Sequence, residues 1–423
     1  MYKTLFLFLS AALIGTSIGC AVDECEKYAE RSVCQTTTPD PGTGGILTIS
    51  PRRVNIKGDT VVVTMSSKTS ATDDVKITQP GMADVNLGKL GNGTVKVPPL
   101  TSSQVSLGKA NLVVGGNAPE PIRFYLKPSF VRTTPDIVTG NENSLWAGIV
   151  GNKTVVSLND NGLAQPSVHY AEYGYQSRQI SFAGSTGYPD IAKGSATVSQ
   201  KYIGYPNAYN PKRAILFKSC NLGSDVCANI QTTNLSLVDM SVDRRGTLLA
   251  AILDNRINVY FIEILFGDKS PNFLINDIAN PKLIANEDLD SDGLADLLVW
   301  NDVNMNVMHQ VKSVTTTGFV LDSGLSTQIT AAIAPDKPVA LFASDVDGDG
   351  LIDIVYAAGA QIAWLNNISE TMTKFARGGT LGNVIGSIDS LSVGDVDADG
   401  KNDVVIASKS DKNIKIYINQ ATY

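Results

Sequence analysis

The chain has 423 residues, a net charge of -7 and only 18% charged residues. The acidic balance argues against a nucleic-acid partner, and after the first twenty residues no apolar run is long enough to cross a membrane. The length predicts two or three domains, and a composition rich in Gly, Thr, Ser, Val and Asn predicts an all-β protein.

Residues 1–20, MYKTLFLFLSAALIGTSIGC, have the pattern of a secretory signal peptide. A single cation precedes an apolar stretch, residues 5–14, that is too short to span a bilayer, and small residues follow. An uncleaved membrane helix is the alternative, but no stop-transfer charges follow the apolar stretch. We therefore expect the protein to be exported.

The end of this segment, Ser17-Ile18-Gly19-Cys20, resembles the lipobox of bacterial lipoproteins. Ser17 departs from the Leu that is usual in that family. The resemblance implies that Cys20 becomes the first mature residue and carries acyl chains, which together form a stable anchor. Ala21 is not the acidic residue that signals inner-membrane retention in enterobacterial lipoproteins. The resemblance thus implies the outer membrane or cell surface of a bacterium.

The cysteine positions agree with export. If Cys20 is lipidated, four cysteines remain in two close pairs, Cys25 with Cys34 and Cys220 with Cys227. Disulfides within these pairs are the natural arrangement in an oxidising compartment, although four cysteines allow three connectivities. Free thiols are the alternative. A zinc site is disfavoured because neither pair has C-x-x-C spacing and the chain has only two histidines.

Two segments follow the signal. Residues 21–45 comprise a Cys-clipped segment and a Thr-, Pro- and Gly-rich stretch that reads as a flexible tether. Residues 46–128 contain short β-rich runs separated by turn residues, which predicts a small β-sandwich. Their opening, ISPRRVNIKGDTVVVTMSS, resembles the start of IPT/TIG-type Ig-like domains, and this resemblance implies a stalk or contact module.

Residues 129–423 contain an internal repeat. The segments NEDLDSDGLADLLVW, ASDVDGDGLIDIVYA and VGDVDADGKNDVVIA align, and their first loop aspartates, Asp288, Asp345 and Asp395, are 57 and 50 residues apart. A fourth segment, LVDMSVDRRGTLLAAI, keeps the period but lacks the full set of aspartates. The period suits the four-stranded sheet of a β-propeller blade. It predicts six blades, with a seventh left open.

Each full repeat carries the motif D-x-D-x-D-G-x-x-D. Calcium takes six to eight oxygen ligands, and alternate aspartates of a curled loop can point to one centre. Glycine at the sixth position permits the sharp reversal, and the seventh residue can offer its backbone carbonyl. The motif predicts three structural calcium ions, with these ligands: Asp288, Asp290, Asp292, Leu294 and Asp296; Asp345, Asp347, Asp349, Leu351 and Asp353; Asp395, Asp397, Asp399, Lys401 and Asp403.

An EF-hand is the nearest competitor for these loops. It needs a bidentate Glu at position twelve and flanking helices, whereas position twelve is Val299, Tyr356 or Ile406 and the flanks are β-rich. Hydrogen-bonded turns without metal are the other alternative. The loops resemble those of integrin-alpha-like propellers with FG-GAP or VCBS-type repeats, most closely over residues 284–423. This resemblance implies calcium loops in a β-propeller.

The sequence has no catalytic signature that we can identify. We expect the two histidines, His169 and His309, to lie on a loop or strand face rather than in a catalytic triad, and no nucleophile elbow, zincin or Walker motif is present. A cluster of tyrosines on segments predicted to be loops is a candidate face for a glycan or protein ligand, and packing between blades is the alternative. Its members are Tyr170, Tyr173, Tyr175, Tyr202, Tyr205 and Tyr209.

These observations favour a non-catalytic, calcium-stabilised binding or adhesion module on the cell envelope. The expected partner is a protein or glycan ligand at the cell surface, with membrane contact through the lipid anchor only. Two alternatives stay open at this point. One is the scaffold of a secreted polysaccharide-active enzyme, and the other is a purely structural envelope protein.

Overall fold

The computed structural model describes residues 47–64, 69–133, 137–138, 143–150, 154–160, 167–172, 178–180, 197–198, 202–207, 214–221, 226–232, 237–245, 247–261, 270–312, 317–368, 374–384, 386–408 and 410–422. Within these ranges the chain is nearly all β, with one helix. The expected all-β class is therefore confirmed. The predicted signal peptide and tether, with Cys20, Cys25 and Cys34, lie outside the described residues. Within the described ranges, no helix has the length and apolarity needed to span a membrane.

The first part of the fold consists of two sheets, which we call the sandwich. One sheet has the antiparallel order β1 (Thr48–Ser50), β3 (Asp59–Thr64) and β6 (Thr94–Val97). The other has the order β2 (Arg53–Asn55), β8 (Glu120–Tyr125), β7 (Gly108–Val114), β4 (Asp74–Thr78) and β5 (Val85–Lys89), in which β2 and β8 run parallel.

The two sheets bury a common apolar core. Val61 and Val63 of β3 alternate with exposed neighbours, as the two-residue period of a half-buried strand requires. They belong to the same buried cluster as Val75 and Ile77 of β4 and the fully buried Phe124 of β8. The alternation explains why residues 46–128 read as a sandwich in the sequence.

The remainder of the chain forms successive four-stranded antiparallel sheets. We call them the first to fifth repeat sheets. The first comprises β11 (Asn143–Val150), β12 (Thr154–Asp160), β13 (Ser167–Glu172) and β14 (Arg178–Ile180), and the second β15 (Thr197–Val198), β16 (Tyr202–Asn207), β17 (Ala214–Asn221) and β18 (Val226–Thr232). The third comprises β19 (Leu237–Val242), β20 (Leu248–Leu253), β21 (Arg256–Phe261) and β22 (Phe273–Ile275). The fourth comprises β23 (Leu283–Glu287), β24 (Asp296–Trp300), β25 (Met305–Lys312) and β26 (Thr317–Asp322), and the fifth β27 (Ala340–Ser344), β28 (Asp353–Ala358), β29 (Gln361–Asn367) and β30 (Phe375–Asn383).

The last sheet combines both ends of this region. Strands β31 (Ser390–Gly394), β32 (Asp403–Ser408) and β33 (Asn413–Asn419) are extended by β9 (Phe130–Arg132) and β10 (Ile137–Val138), which both pair with β33. The first strand of each sheet contacts the first strand of the next, and β31 contacts β11. This cyclic order of sheets is β-propeller-like.

The sheets are held together by strands that are apolar on both faces. Strands β20 (LLAAIL), β24 (DLLVW) and β32 (DVVIAS) are buried along their whole length, because each lies inside its sheet and between neighbouring sheets. Continuous apolar runs are typical of such strands.

One helix, α1 (Ser323–Ile333), lies between β26 and β27 and is absent from the expectations drawn from sequence. Asp322 caps its N-terminus by accepting a hydrogen bond from the amide of Leu325, and Leu325, Ile329 and Ile333 form its buried face. Its Ser- and Thr-rich composition hides this helical spacing.

The predicted disulfide and tyrosine residues are only partly described. Cys220 and Cys227 lie directly opposite each other in the antiparallel β17–β18 pair, a register that brings the two backbones within disulfide range. The disulfide itself stays a prediction. The loop-like reading of the tyrosine segments is wrong in part: Tyr170 lies in β13, and Tyr202 and Tyr205 lie in β16. The Gly and Pro residues of KYIGYPNAYNP obscured that strand. Tyr173, Tyr175 and Tyr209 lie outside the described residues.

Candidate metal centre

The three aspartate motifs form equivalent turns between antiparallel strands. Loop 1 (Asp288–Asp296) joins β23 to β24, loop 2 (Asp345–Asp353) joins β27 to β28, and loop 3 (Asp395–Asp403) joins β31 to β32. No helix flanks any of the three loops. The geometry therefore excludes an EF-hand.

The ninth-position aspartate of each loop clamps the turn to its sheet. Its side chain is fully buried, and its two oxygens each accept a backbone hydrogen bond, one from the second loop residue and one from the third strand of the sheet. The sets are Asp296 with Leu289 and Gln310, Asp353 with Val346 and Asn367, and Asp403 with Val396 and Asn419, all at 2.8–3.1 Å. Each oxygen keeps a lone pair that a metal could use.

The other aspartates of each loop collect the amides of the turn. In loop 3, Asp395 accepts hydrogen bonds from the amides of Asp399 and Gly400, Asp397 from that of Asp399, and Asp399 from that of Lys401. Loops 1 and 2 repeat the bond from the sixth-position glycine and those to the third and fifth positions. Only one oxygen of the third and fifth aspartates accepts a hydrogen bond from a loop amide.

The backbone turns sharply at two positions of every loop. The sixth-position glycines Gly293, Gly350 and Gly400 have φ of 88°, 82° and 84°, which confirms the glycine requirement expected from sequence. The fourth position also has positive φ, at Ser291 (57°), Gly348 (78°) and Ala398 (64°). That second left-handed position could not be read from the motif, because Ser and Ala do not mark it.

The carboxylates are close enough to share one ion. In the described residues, one ligand atom from each member of Asp288/Asp290/Asp292, Asp345/Asp347/Asp353 and Asp395/Asp397/Asp399 lies within 4.8 Å of the others. Oxygens bound to a common calcium at about 2.3–2.6 Å are separated by distances of this size. Moreover, Oδ1 of Asp288 is buried without a hydrogen-bond partner. An oxygen-only set with an orphaned acceptor fits a hard divalent cation such as calcium.

When no cation is bound, burial and mutual repulsion disfavour the charged form of several aspartates in these loops. Burial, then repulsion from Asp296, raises the pKa of Asp290 to about 7. Burial, then repulsion from Asp349, raises the pKa of Asp347 to about 7. Burial likewise raises the pKa of Asp403 to about 6. A bound cation would remove the repulsive part of this cost.

Two cationic side chains from neighbouring strands and turns face loop 1. The Arg245 guanidinium donates to Oδ2 of Asp288 at 3.0 Å and to the Gly293 carbonyl at 3.0 Å. His309 places Nδ1 3.3 Å from Oδ2 of Asp296 and 3.7 Å from Oδ2 of Asp290. Burial by itself lowers the pKa of His309, but the facing carboxylates outweigh it and raise that pKa to about 9.

Sequence reasoning assigned His309 to a strand or loop face and did not connect it to the motif. An alignment of the third strands of the repeat sheets would have indicated that His309 lies near loop 1. His309 directly precedes Gln310, and Asn366 directly precedes Asn367, the residue that meets the ninth aspartate in loop 2. Asn366 also points at its loop, since its Nδ2 donates to Oδ2 of Asp347 at 3.1 Å.

The seventh-position residues share one backbone contact, and only Lys401 adds a side-chain contact. The backbone amides of Leu294, Leu351 and Lys401 donate to the fifth aspartate of their loops, and their carbonyls stay predicted ligands. The Lys401 side chain also pairs with Asp399. Loop 2 instead receives a side chain from the sandwich, because Arg53 of β2 donates to both Asp347 and Asp349.

One comparison with known protein families identifies the repeat seen in loops 2 and 3. Residues 345–406, which include loops 2 and 3, match the family described as FG-GAP-like repeat. This chain contains an FG-GAP-like repeat. No curated protein matches it. Among solved structures, the oligogalacturonate lyase of Vibrio parahaemolyticus is similar over 75% of this chain and 99% of that chain, with 11% identity and a TM-score of 0.36.

Proposed function

We propose that this protein is a non-catalytic, calcium-stabilised binding or adhesion module, held by a lipid anchor at the outer membrane or cell surface of a bacterium. The observation that carries the calcium part is the repeated hydrogen-bond scheme of loops 1 to 3, in which the turn amides bind one face of the carboxylates and leave oxygens converging on the other. The same hydrogen-bond scheme in three separate turns favours the same kind of ligand in each, a hard divalent cation.

The proposed architecture is a six-bladed propeller preceded by an Ig-like sandwich, over residues 129–423 and 46–128. The blades are the five repeat sheets and the closing sheet that β9 and β10 join. The sandwich serves as a stalk between this propeller and the anchor, which residues 1–20 and 21–45 provide as signal peptide and tether.

The proposed calcium is structural. The ninth-position aspartate ties each loop to two strands of its sheet, and a cation at the centre would lock the turn against carboxylate repulsion. His309 faces Asp296 and Asp290. Its proposed role is therefore to stabilise loop 1, not to act in catalysis.

Anchoring is tested by metabolic labelling with an alkyne fatty acid in a Gram-negative host. We expect the wild-type chain to be labelled and to sediment with membranes, and Cys20→Ser to lose both properties, because Cys20 is the proposed acylation site. Cys25→Ser is the matched control and should keep the label. Labelling that survives Cys20→Ser, or a wild type without label, would contradict the anchor.

Ligand binding is tested on an array of bacterial and host glycans with the mature chain in calcium. We expect one glycan class to bind and Tyr173→Ala and Tyr205→Ala each to weaken binding by about tenfold or more, as expected when an aromatic anchor is truncated. Tyr423→Ala, at the far end of the chain, serves as the control. Binding that all the variants retain would eliminate the tyrosine face, and a glycan array without any bound class would leave a protein as the ligand to be sought.

A further inference from the structure

Loop 2 differs from loops 1 and 3 because the sandwich lies against it. Arg53 Nη2 is 2.5 Å from Oδ2 of Asp347, and Arg53 Nε is 2.5 Å from Oδ2 of Asp349. The exposed fractions are 12% for the Arg53 side chain and 0% for both aspartate side chains. The guanidinium also stacks on the ring of Tyr125, 4.6 Å from its centroid. The guanidinium is therefore fixed by two carboxylates at its edge and by an aromatic ring on its face.

The backbone of loop 2 is engaged by the sandwich as well. Arg123 of β8 is buried and donates from Nη1 to the carbonyl of Asp349 at 3.0 Å. The amide of Leu126 donates to the carbonyl of Asp347 at 3.0 Å. Four hydrogen bonds thus converge from the sandwich on two loop residues. One of the four is a bond between two backbones and the other three come from largely buried arginine side chains, so the contact does not depend on an exposed ion pair.

The sequence of loop 2 is adapted to this close approach. At the fourth position loops 1 and 3 carry Ser291 and Ala398, whereas loop 2 has Gly348. A Cβ on Gly348 would lie 2.6 Å from Cδ1 of Leu107, a residue of the sandwich, so the Leu107 side chain would have to move. Glycine thus suits the close contact, whereas the positive φ by itself does not require it, because Ser291 and Ala398 also have positive φ.

Arg53 takes the oxygens that a metal would need. Oδ1 of Asp347 and Oδ1 of Asp349 already accept the amides of Asp349 and Leu351 within the loop. Their Oδ2 atoms are the remaining acceptors, and both are bonded to the guanidinium. A calcium ion bound at these two oxygens would lie beside the guanidinium, and the repulsion between the two positive groups disfavours it.

We propose that loop 2 is the docking site of the sandwich and that Arg53 holds there the place which calcium takes in loops 1 and 3. With the sandwich docked, calcium then binds two loops, not the three that the sequence alone predicts. The exclusion of calcium rests on the proposed calcium function, whereas the docking does not. The sandwich is thereby fixed to one particular blade.

The test compares Arg53→Gln with Arg52→Gln in the mature chain. Arg52 is the matched control because it is the adjacent arginine and pairs within the sandwich, with Glu120 at 3.0 Å. Calcium titration calorimetry should give two sites for the wild type and Arg52→Gln, and three for Arg53→Gln. Three sites in the wild type, or two in Arg53→Gln, would overturn the exclusion.

Docking is tested without calcium by hydrogen exchange in EDTA. Arg53→Gln should speed exchange of the Leu126 amide by about tenfold or more, since one partner of a buried charge pair is lost, and Arg52→Gln should leave it within about twofold. Gly348→Ser, which copies the residue of loop 1, should have the same effect as Arg53→Gln. Unchanged exchange in both loop 2 variants would refute docking. If none of these proteins binds calcium, the calcium function is wrong and the exclusion falls with it, while the exchange data alone still decide the docking.

Discussion

Replacing Asp403 with alanine is expected to lower the free energy of unfolding by about 2–6 kcal/mol in EDTA, and by more in calcium because Asp403 is also a proposed ligand. The carboxylate of Asp403 is fully buried and accepts hydrogen bonds from the amides of Val396 and Asn419, each at 2.8 Å. Alanine would leave two buried donors unsatisfied, at about 1–3 kcal/mol each. Asp403→Asn keeps one acceptor oxygen and should lose about half as much. Urea unfolding followed by intrinsic fluorescence measures the difference.

Asp397→Ala is the matched control in the same loop. Asp397 accepts one loop hydrogen bond, from the amide of Asp399 at 3.2 Å, and is partly exposed. In EDTA its loss should change stability by no more than about 0.5 kcal/mol, whereas in calcium it should remove the contribution of that site. Equal losses for Asp397→Ala and Asp403→Ala in EDTA would show that the ninth aspartate is not a clamp.

Chelation of calcium is expected to lower the melting temperature by roughly 3–12 °C. Extracellular sites bind calcium at about 0.1–1 mM, so about 1 mM free calcium adds roughly 0.4–1.4 kcal/mol at each site. Two or three such sites stabilise the fold by about 1–4 kcal/mol. Scanning calorimetry in EDTA and in calcium measures the shift. Magnesium at the same concentration is the control and should restore little of it, because a compact octahedral ion fits a flexible carboxylate loop poorly.

The size of this calcium effect should depend on pH. Without calcium, the raised pKa of about 7 for Asp290 means that the folded state holds protons at this group more tightly than the unfolded chain does. The stability from these protons is full below about pH 4 and is lost as the pH rises through about 7. The melting temperature in EDTA should therefore rise from about pH 8 to about pH 5.5, while the gain from calcium shrinks because protons compete for the same oxygens. If calcium shifts the melting temperature equally at both pH values, or at neither, then calcium is not bound by the aspartates of these loops.

Local features of the loops could be predicted because the chemistry is contained in nine residues. The alternation of aspartates, the sixth-position glycine and the β-rich flanks together specify a tight turn between strands, and Gly293, Gly350 and Gly400 have the predicted conformation. The ninth aspartate was assigned as a ligand, but its two backbone hydrogen bonds were not foreseen. One of its partners, such as Asn419, lies 16 residues away on another strand.

Features that depend on distant segments could not be predicted in this way. Arg53 reaches Asp347 across 294 positions of sequence, and nothing in the sandwich sequence marks this arginine rather than Arg52. His309 and Arg245 meet loop 1 only because their strands and turns pack beside it. Helix α1 was not predicted because only three apolar residues form its buried face, within a Ser- and Thr-rich segment.

The sequence by itself therefore determined the strand class, the repeat and the position of three carboxylate turns, since short-range spacing fixes which oxygens can converge. The tertiary structure alone decided which positive groups face those turns and that β9 and β10 complete the last sheet. It also distinguished loop 2, where Gly348 admits Leu107 and the aspartates receive Arg53. The physical reason is that a turn is specified by neighbours along the chain, whereas its counter-charge comes from whichever surface folding brings against it.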